Sequence, residues 1–184
     1  MSPDRLDRER WVRAGLAALE QGGTAAVSAA AIAKSLGVTR GSFYWHFASR
    51  DELLSAVLEL WEREHSDAVL DALEAVPDPR ERLRLLFDAA TSKPPSIFTR
   101  LLEAQGGEPA VATVLNRSRS RRVAFLTAAY REAGVSPAAA RRRALAAYAA
   151  YVGLAQLVAS DGELLQGRER RAFARELSAI FVPA

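Results

Sequence analysis

The chain has 184 residues, 49% of them hydrophobic, and a net charge of +3 at pH 7, which suits one medium domain or a small domain joined to a larger one. It contains no cysteine, so disulfides, thiolate metal sites and a cysteine nucleophile are excluded. No apolar run approaches the roughly 20 residues of a membrane span, and the charged start MSPDRLDRERW lacks the apolar core of a signal peptide, so a cytoplasmic protein without membrane association is expected.

Ala, Leu and Arg fill long segments of 3.6-residue periodicity, and no alternating strand pattern stands out. An all-α fold is predicted. The first helix spans about Asp4–Gln21, apolar at Trp11, Leu16 and Leu19, and Gly22-Gly23 stops it. Ser28 caps a second helix that ends near Leu36, with Ile32, Ala33 and Leu36 apolar. Gly37 sits where that helix must stop, in the left-handed conformation that glycine takes without strain. Val38 plugs the turn. Thr39 is the N-cap of a third helix, Arg40–Phe47, whose buried face carries Phe43 and Phe47 four residues apart.

Ser49 then caps a fourth helix, and Glu52 three residues on completes a capping box. This helix runs from about Arg50 to Ala75 on a stripe that includes Leu53, Leu54, Val57, Leu58 and Trp61. Asp78-Pro79 starts a fifth helix as N-cap and first helical residue, reaching about Ala90 before the stop at Lys93-Pro94-Pro95. Further helices are expected over about Ser96–Ala104, Glu108–Ala133 (ended by Gly134), Ser136–Ser160 and Arg168–Phe181. The domain division is placed at 1–49 and 50–184.

Charge is unevenly spread: residues 1–50 balance at +3, residues 51–115 at −7 and residues 116–184 at +7. A basic N-terminal module is what phosphates require. On its third helix Arg40, Gly41, Ser42, Tyr44, Trp45 and His46 remain outside the apolar face, with no carboxylate among them. Thr39 and Arg40 lie at the helix start, where backbone N–H groups and the helix dipole favour a phosphate. Arg40, Ser42 and Trp45 are the candidates for base edges, and Gly41 allows close backbone approach. Lys34 and Arg50 would clamp the flanking backbone. Alternatively, Tyr44 and Trp45 pack on the first or fourth helix and His46 bridges the third and fourth.

The segment VSAAAIAKSLGVTRGSFYWHF at Val27–Phe47, continued by ASRDELL at Ala48–Leu54 and preceded by the helix over Trp11–Gly22, closely resembles the DNA-binding domain of the TetR (tetracycline-repressor type) family of bacterial regulators. The resemblance covers about the first third of the chain. It implies an N-terminal three-helix helix-turn-helix domain followed by a C-terminal helical domain for ligand binding and dimerisation. It also implies phosphate contacts from Tyr44 and His46; at Arg50 the family often has Lys.

A module this small buries too little surface for tight, specific binding alone, and a dimer on a palindromic duplex solves that. Ala144–Gln156 is nearly apolar all round, so it should be buried on several sides. The resemblance implies a homodimer through the last two helices of each subunit. It also implies a pocket for a small effector, here apolar or aromatic. Candidate lining residues are Trp61, Phe87, Phe98, Leu102, Phe125, Tyr130, Tyr148 and Tyr151, for each of which plain core is the stronger reading when it is taken singly. No charged group stands out as a mark of ligand charge. The expected function is therefore a sequence-specific repressor released by its effector. A ligand-independent regulator, or an activator working through a protein partner, is the alternative.

Catalysis is not expected. The two histidines, His46 and His65, form no His-Glu-x-x-His motif, and the Glu62–His65 spacing has no second copy on a facing helix. No metal site and no cofactor are expected.

Overall fold

The computed structural model describes residues 3–92 and 96–183. It is all-α, with the order α1 (Pro3–Ala26), α2 (Ala29–Leu36), a 3₁₀ helix (Arg40–Trp45), α3 (Arg50–Glu62), a π turn (Arg63–Asp67), α4 (Ala68–Glu74), α5 (Pro79–Ser92), α6 (Ser96–Ala104), α7 (Pro109–Glu132), α8 (Pro137–Ser160) and α9 (Gly167–Phe181). The expected stop at Lys93–Pro95 lies outside the described residues. Among the described residues no helix is long and apolar enough to cross a membrane.

The chain forms two compact units. The first comprises residues 1–66 and 100–116, the second residues 67–99 and 117–184. In the first, α1 packs on α2 and α3 around Trp11, Leu19, Ile32, Phe43, Phe47, Leu53 and Val57, all buried. In the second, α5 packs on α9, and a core of Leu83, Phe87, Leu126, Tyr130, Ala140 and Ala144 lies beneath.

The caps form where local chemistry demands. Ser28 accepts from the N–H of Ala31 at 3.2 Å, and Ser49 accepts from that of Glu52 at 3.2 Å. Glu52 returns the contact to the N–H of Ala48, at 2.7 Å, one residue before the cap itself. Asp78 caps α5 through the N–H of Arg80 at 3.0 Å. Gly37 adopts φ 69° and ψ 28°. The N–H groups of Gly37 and Val38 then donate to the carbonyls of Lys34 and Ala33 at 3.3 and 3.0 Å, satisfying the end of α2.

Four local expectations are corrected. Gly22 and Gly23 do interrupt α1, with Gly23 at φ 68°, but the helical run resumes to Ala26. Val38 is 42% exposed, so it is not a buried plug of the turn. The segment after Thr39 is a 3₁₀ helix: Thr39 caps it with its carbonyl, which accepts both the N–H and the hydroxyl of Ser42 at 3.1 and 2.7 Å. The fourth predicted helix is interrupted by the π turn, which buries Ser66 completely. Beyond it, Asp67 and Asp71, one helical turn apart, both pair with Arg121.

Gly15 marks a close approach of α1 to α3 in the first unit. A Cβ there would stand 2.5 Å from a methyl of Val57 on α3. Glycine costs helix stability, about 1 kcal/mol relative to alanine, and here that cost permits tight packing of α1 on α3. A Gly15→Leu chain is expected to lose roughly 1–3 kcal/mol by overpacking. Urea unfolding checks it, and unchanged stability would show that the interface has room.

Candidate nucleic-acid interface

The aromatic residues over 43–47 divide cleanly into two sets. Phe43 and Phe47 are each 1% exposed and stack with ring centroids 5.5 Å apart. Trp11 from α1 meets Phe43 edge-on at 5.5 Å. With those rings inside, their neighbours must face out: Tyr44 is 58% exposed and Trp45 84%. Tyr44 keeps one packing contact, edge-on to Phe43 at 5.2 Å. Trp45 therefore does not pack as a core residue.

Lys34, Thr39, Arg40 and Gly41 are exposed beside them, and Ser42 and His46 are half-buried. His46 closes the 3₁₀ helix through its backbone N–H, which donates to the carbonyl of Phe43 at 3.0 Å. The result is a patch with two cations, two aromatic rings and small polar groups. Such a set can meet phosphates through Arg and Lys, and base edges through Arg, Ser and ring edges.

Arg50 is placed differently. Its guanidinium donates to the carbonyls of Thr24 and Val27 at 2.8 and 3.1 Å, and to Glu108 at 2.9 Å. The group expected as a phosphate clamp ties the α1–α2 connection to the start of α3 and to the residue preceding α7. The hydrogen bond to Glu108 holds the guanidinium firmly protonated. Sequence reasoning also missed Arg8, whose guanidinium lies 4.7 Å over the Phe47 ring and 3.5 Å from Glu52. A basic residue 39 positions upstream of a phenylalanine carries no local signal of that contact.

In the second unit three of the expected pocket residues converge. Phe87, Tyr148 and Tyr151 line a narrow cavity of about 40 Å³ with Leu86, Leu126 and Arg122. Phe98 stacks on Tyr151 at 4.9 Å. Trp61 and Leu102 belong to the first unit. Phe125 packs with Leu70 and Leu73, and Tyr130 is fully buried in the main core. Those four do not line the cavity. Arg122, which the sequence did not single out, does. Among the described residues no group of three or more His, Asp or Glu side chains could hold a metal ion.

Among the described residues the Tyr130 hydroxyl has no hydrogen-bond partner. Burial pushes its pKa up to about 12 from 10.0, against the opposing influence of Arg143. The unfolded chain ionises this phenol at the lower value, so the stability it supports below pH 10 is lost as the pH rises from 10.0 through about 12. Tyr130→Phe is expected to remove that part of the alkaline loss. At neutral pH it should change stability by less than about 1 kcal/mol, because no hydrogen bond is broken. Urea midpoints from pH 8 upward, compared between the two chains, check both statements.

Comparison with known proteins agrees with the N-terminal geometry. Residues 12–57 match the family "Bacterial regulatory proteins, tetR family". The chain is 36% identical over 78 residues to the HTH-type transcriptional regulator AcrR of Shigella flexneri, covering 42% of this chain and 36% of that protein. It is 34% identical over 82 residues to the HTH-type transcriptional regulator BetI of Stenotrophomonas maltophilia, covering 44% of this chain and 42% of the relative. The matched stretch thus spans less than half the length of either relative. Among solved structures, a transcriptional regulator from Saccharomonospora viridis in complex with choline superposes with a TM-score of 0.81 at 19% identity, over 96% of this chain and 95% of that one. At that identity the likeness is one of fold.

Proposed function

We propose, from the match of residues 12–57 to the TetR family of bacterial regulatory proteins, that the chain is a cytoplasmic, sequence-specific DNA-binding regulator of that family: a homodimeric repressor of a palindromic operator, released by a small effector. The observation that carries this reading is the outward set on the 3₁₀ helix, above all Trp45 at 84% exposure beside two phenylalanines at 1%. A chain that spends a large aromatic on water at that position has a use for it outside its own fold. Residues 1–49 are the reading head in this proposal, and residues 50–184 serve the effector and the second subunit.

Arg40 and Ser42 are assigned to base edges together with Trp45. Lys34, Thr39, Gly41, Tyr44 and His46 are assigned to the backbone. Arg50 is assigned the bracing of the head, through the carbonyls of Thr24 and Val27. Dimerisation is supported by the outer faces of α8 and α9, where Leu145, Leu157 and Ile180 are 45%, 56% and 70% exposed in the single chain. The aromatic cavity supports an effector, as does the choline held by the similarly folded Saccharomonospora protein. Release then needs only that the effector bind the non-DNA conformation better.

Selection from a random duplex library at near-physiological salt is expected to recover a palindrome. Retention with no shared motif, vanishing as salt rises, would overturn the proposal. On the recovered duplex, Arg40→Ala should cost roughly 1–3 kcal/mol and relax one base position, with the melting temperature kept. Arg50→Ala should instead lower the melting temperature. Full DNA affinity in both Arg40→Ala and Tyr44→Ala would remove the contact assignment.

A further inference from the structure

Building on the reading of an effector-released regulator, we infer that the effector is an organic acid, an apolar or aromatic body bearing a carboxylate, and that Arg122 is its charge partner. The Arg122 guanidinium carbon lies 5.2 Å from the ring centroid of Tyr151 and 5.8 Å from that of Phe98. These ring faces are the positions a quaternary ammonium ligand would seek, and a cation of the protein already holds them. A cationic effector would meet a like charge in a low-dielectric cavity, whereas a carboxylate there gains a charge-assisted, planar partner. Burial pushes the pKa of the Tyr148 hydroxyl up, against the opposing influence of Arg122 and Arg119.

The groove nearest this cavity along α5 has the same sign. The cavity shares Ala90 with a constriction lined by Leu154, Leu165 and Phe173. That constriction shares Thr91 and Arg170 with an open groove of about 720 Å³ between α5 and α9. Arg170, Arg171 and Arg175 line the groove, and Asp88 is the one acid among its described lining residues. A positive groove, an apolar constriction and an aromatic cavity with an arginine follow one another along α5. That order suits an amphipathic acid, drawn in by charge and retained by its body. At about 40 Å³ the inner space is smaller than a ligand of this kind requires. Binding therefore shifts the half-buried Arg122 relative to its rings and adds an ion pair to the contacts it already makes.

The test uses the full chain and matched compounds on benzyl, naphthylmethyl and octyl bodies: the carboxylate, its methyl ester and the trimethylammonium counterpart, each titrated calorimetrically. On at least one body the acid should bind about tenfold or more tighter than its ester, and the ammonium should not bind. Arg122→Met should bring acid and ester to within about twofold, while Arg122→Lys keeps most of the preference. The quantity read is a ratio within one variant, so a loss of stability cannot imitate it. An ester or ammonium that binds as well as the acid, a preference that survives Arg122→Met, or no binding by any member overturns the inference. The underlying reading fails separately: a neutral or cationic compound that releases the operator complex preserves it while refuting the acid, and a chemically mixed library that releases nothing refutes it.

Discussion

Phe43 and Phe47 stack on each other, with Trp11 closing against Phe43, and the arrangement of the first unit follows from placing these three rings together. The 3₁₀ helix is short and opens on Arg40-Gly41-Ser42, a sequence with little helical preference of its own. Its rotation is therefore set by which side chains are buried. Once Phe43 and Phe47 point inward, Tyr44 and Trp45 have no inward direction left. The close approach at Gly15 and the Arg50 contacts to Thr24 and Val27 keep the supporting helices in place around these rings. Surface chemistry at this head is thus a product of core packing.

Features decided within four residues could be read from the chain alone. Ser28, Ser49 and Asp78 cap the helices they precede, and Gly37 ends α2 in the expected conformation, because each depends on one side chain or one φ angle and its immediate neighbours. The all-α class was legible for the same reason. The π turn at Arg63–Asp67 was not, since it answers to the burial of Ser66 and the pairing of Asp67 and Asp71 with Arg121, more than 45 residues away. Nor was the place of Arg122. Its meeting with Phe98 and Tyr151 requires the rotation of three helices about their axes, a quantity no local pattern encodes. The outward set of the 3₁₀ helix was legible as a list of residues, while the commitment of Arg50 to backbone carbonyls was not.

The uneven charge of the chain has a partial structural account. Arg121 of the basic C-terminal third pairs with Asp67 and Asp71 of the acidic middle, and Arg82 pairs with Glu132 at 2.7 Å in the opposite sense. These pairs are surface or half-buried and each contributes on the order of 1 kcal/mol or less. Three of the other arginines are gathered rather than scattered: Arg170, Arg171 and Arg175 stand together on α9 over the groove. Solvated helix faces explain single arginines well, but they do not explain a cluster placed over an opening.

The three tryptophans differ sharply in surroundings: Trp11 is 3% exposed and Trp61 2%, whereas Trp45 is 84% exposed. The chain thus carries its own optical reporter. Two buried indoles emit at short wavelength, and one emits at long wavelength from the exposed side of the 3₁₀ helix. Light collected at the red edge comes chiefly from that one ring. A soluble quencher reaches it and spares the others, so anything that covers the head can be followed in the unlabelled protein, in real time and without altering a residue.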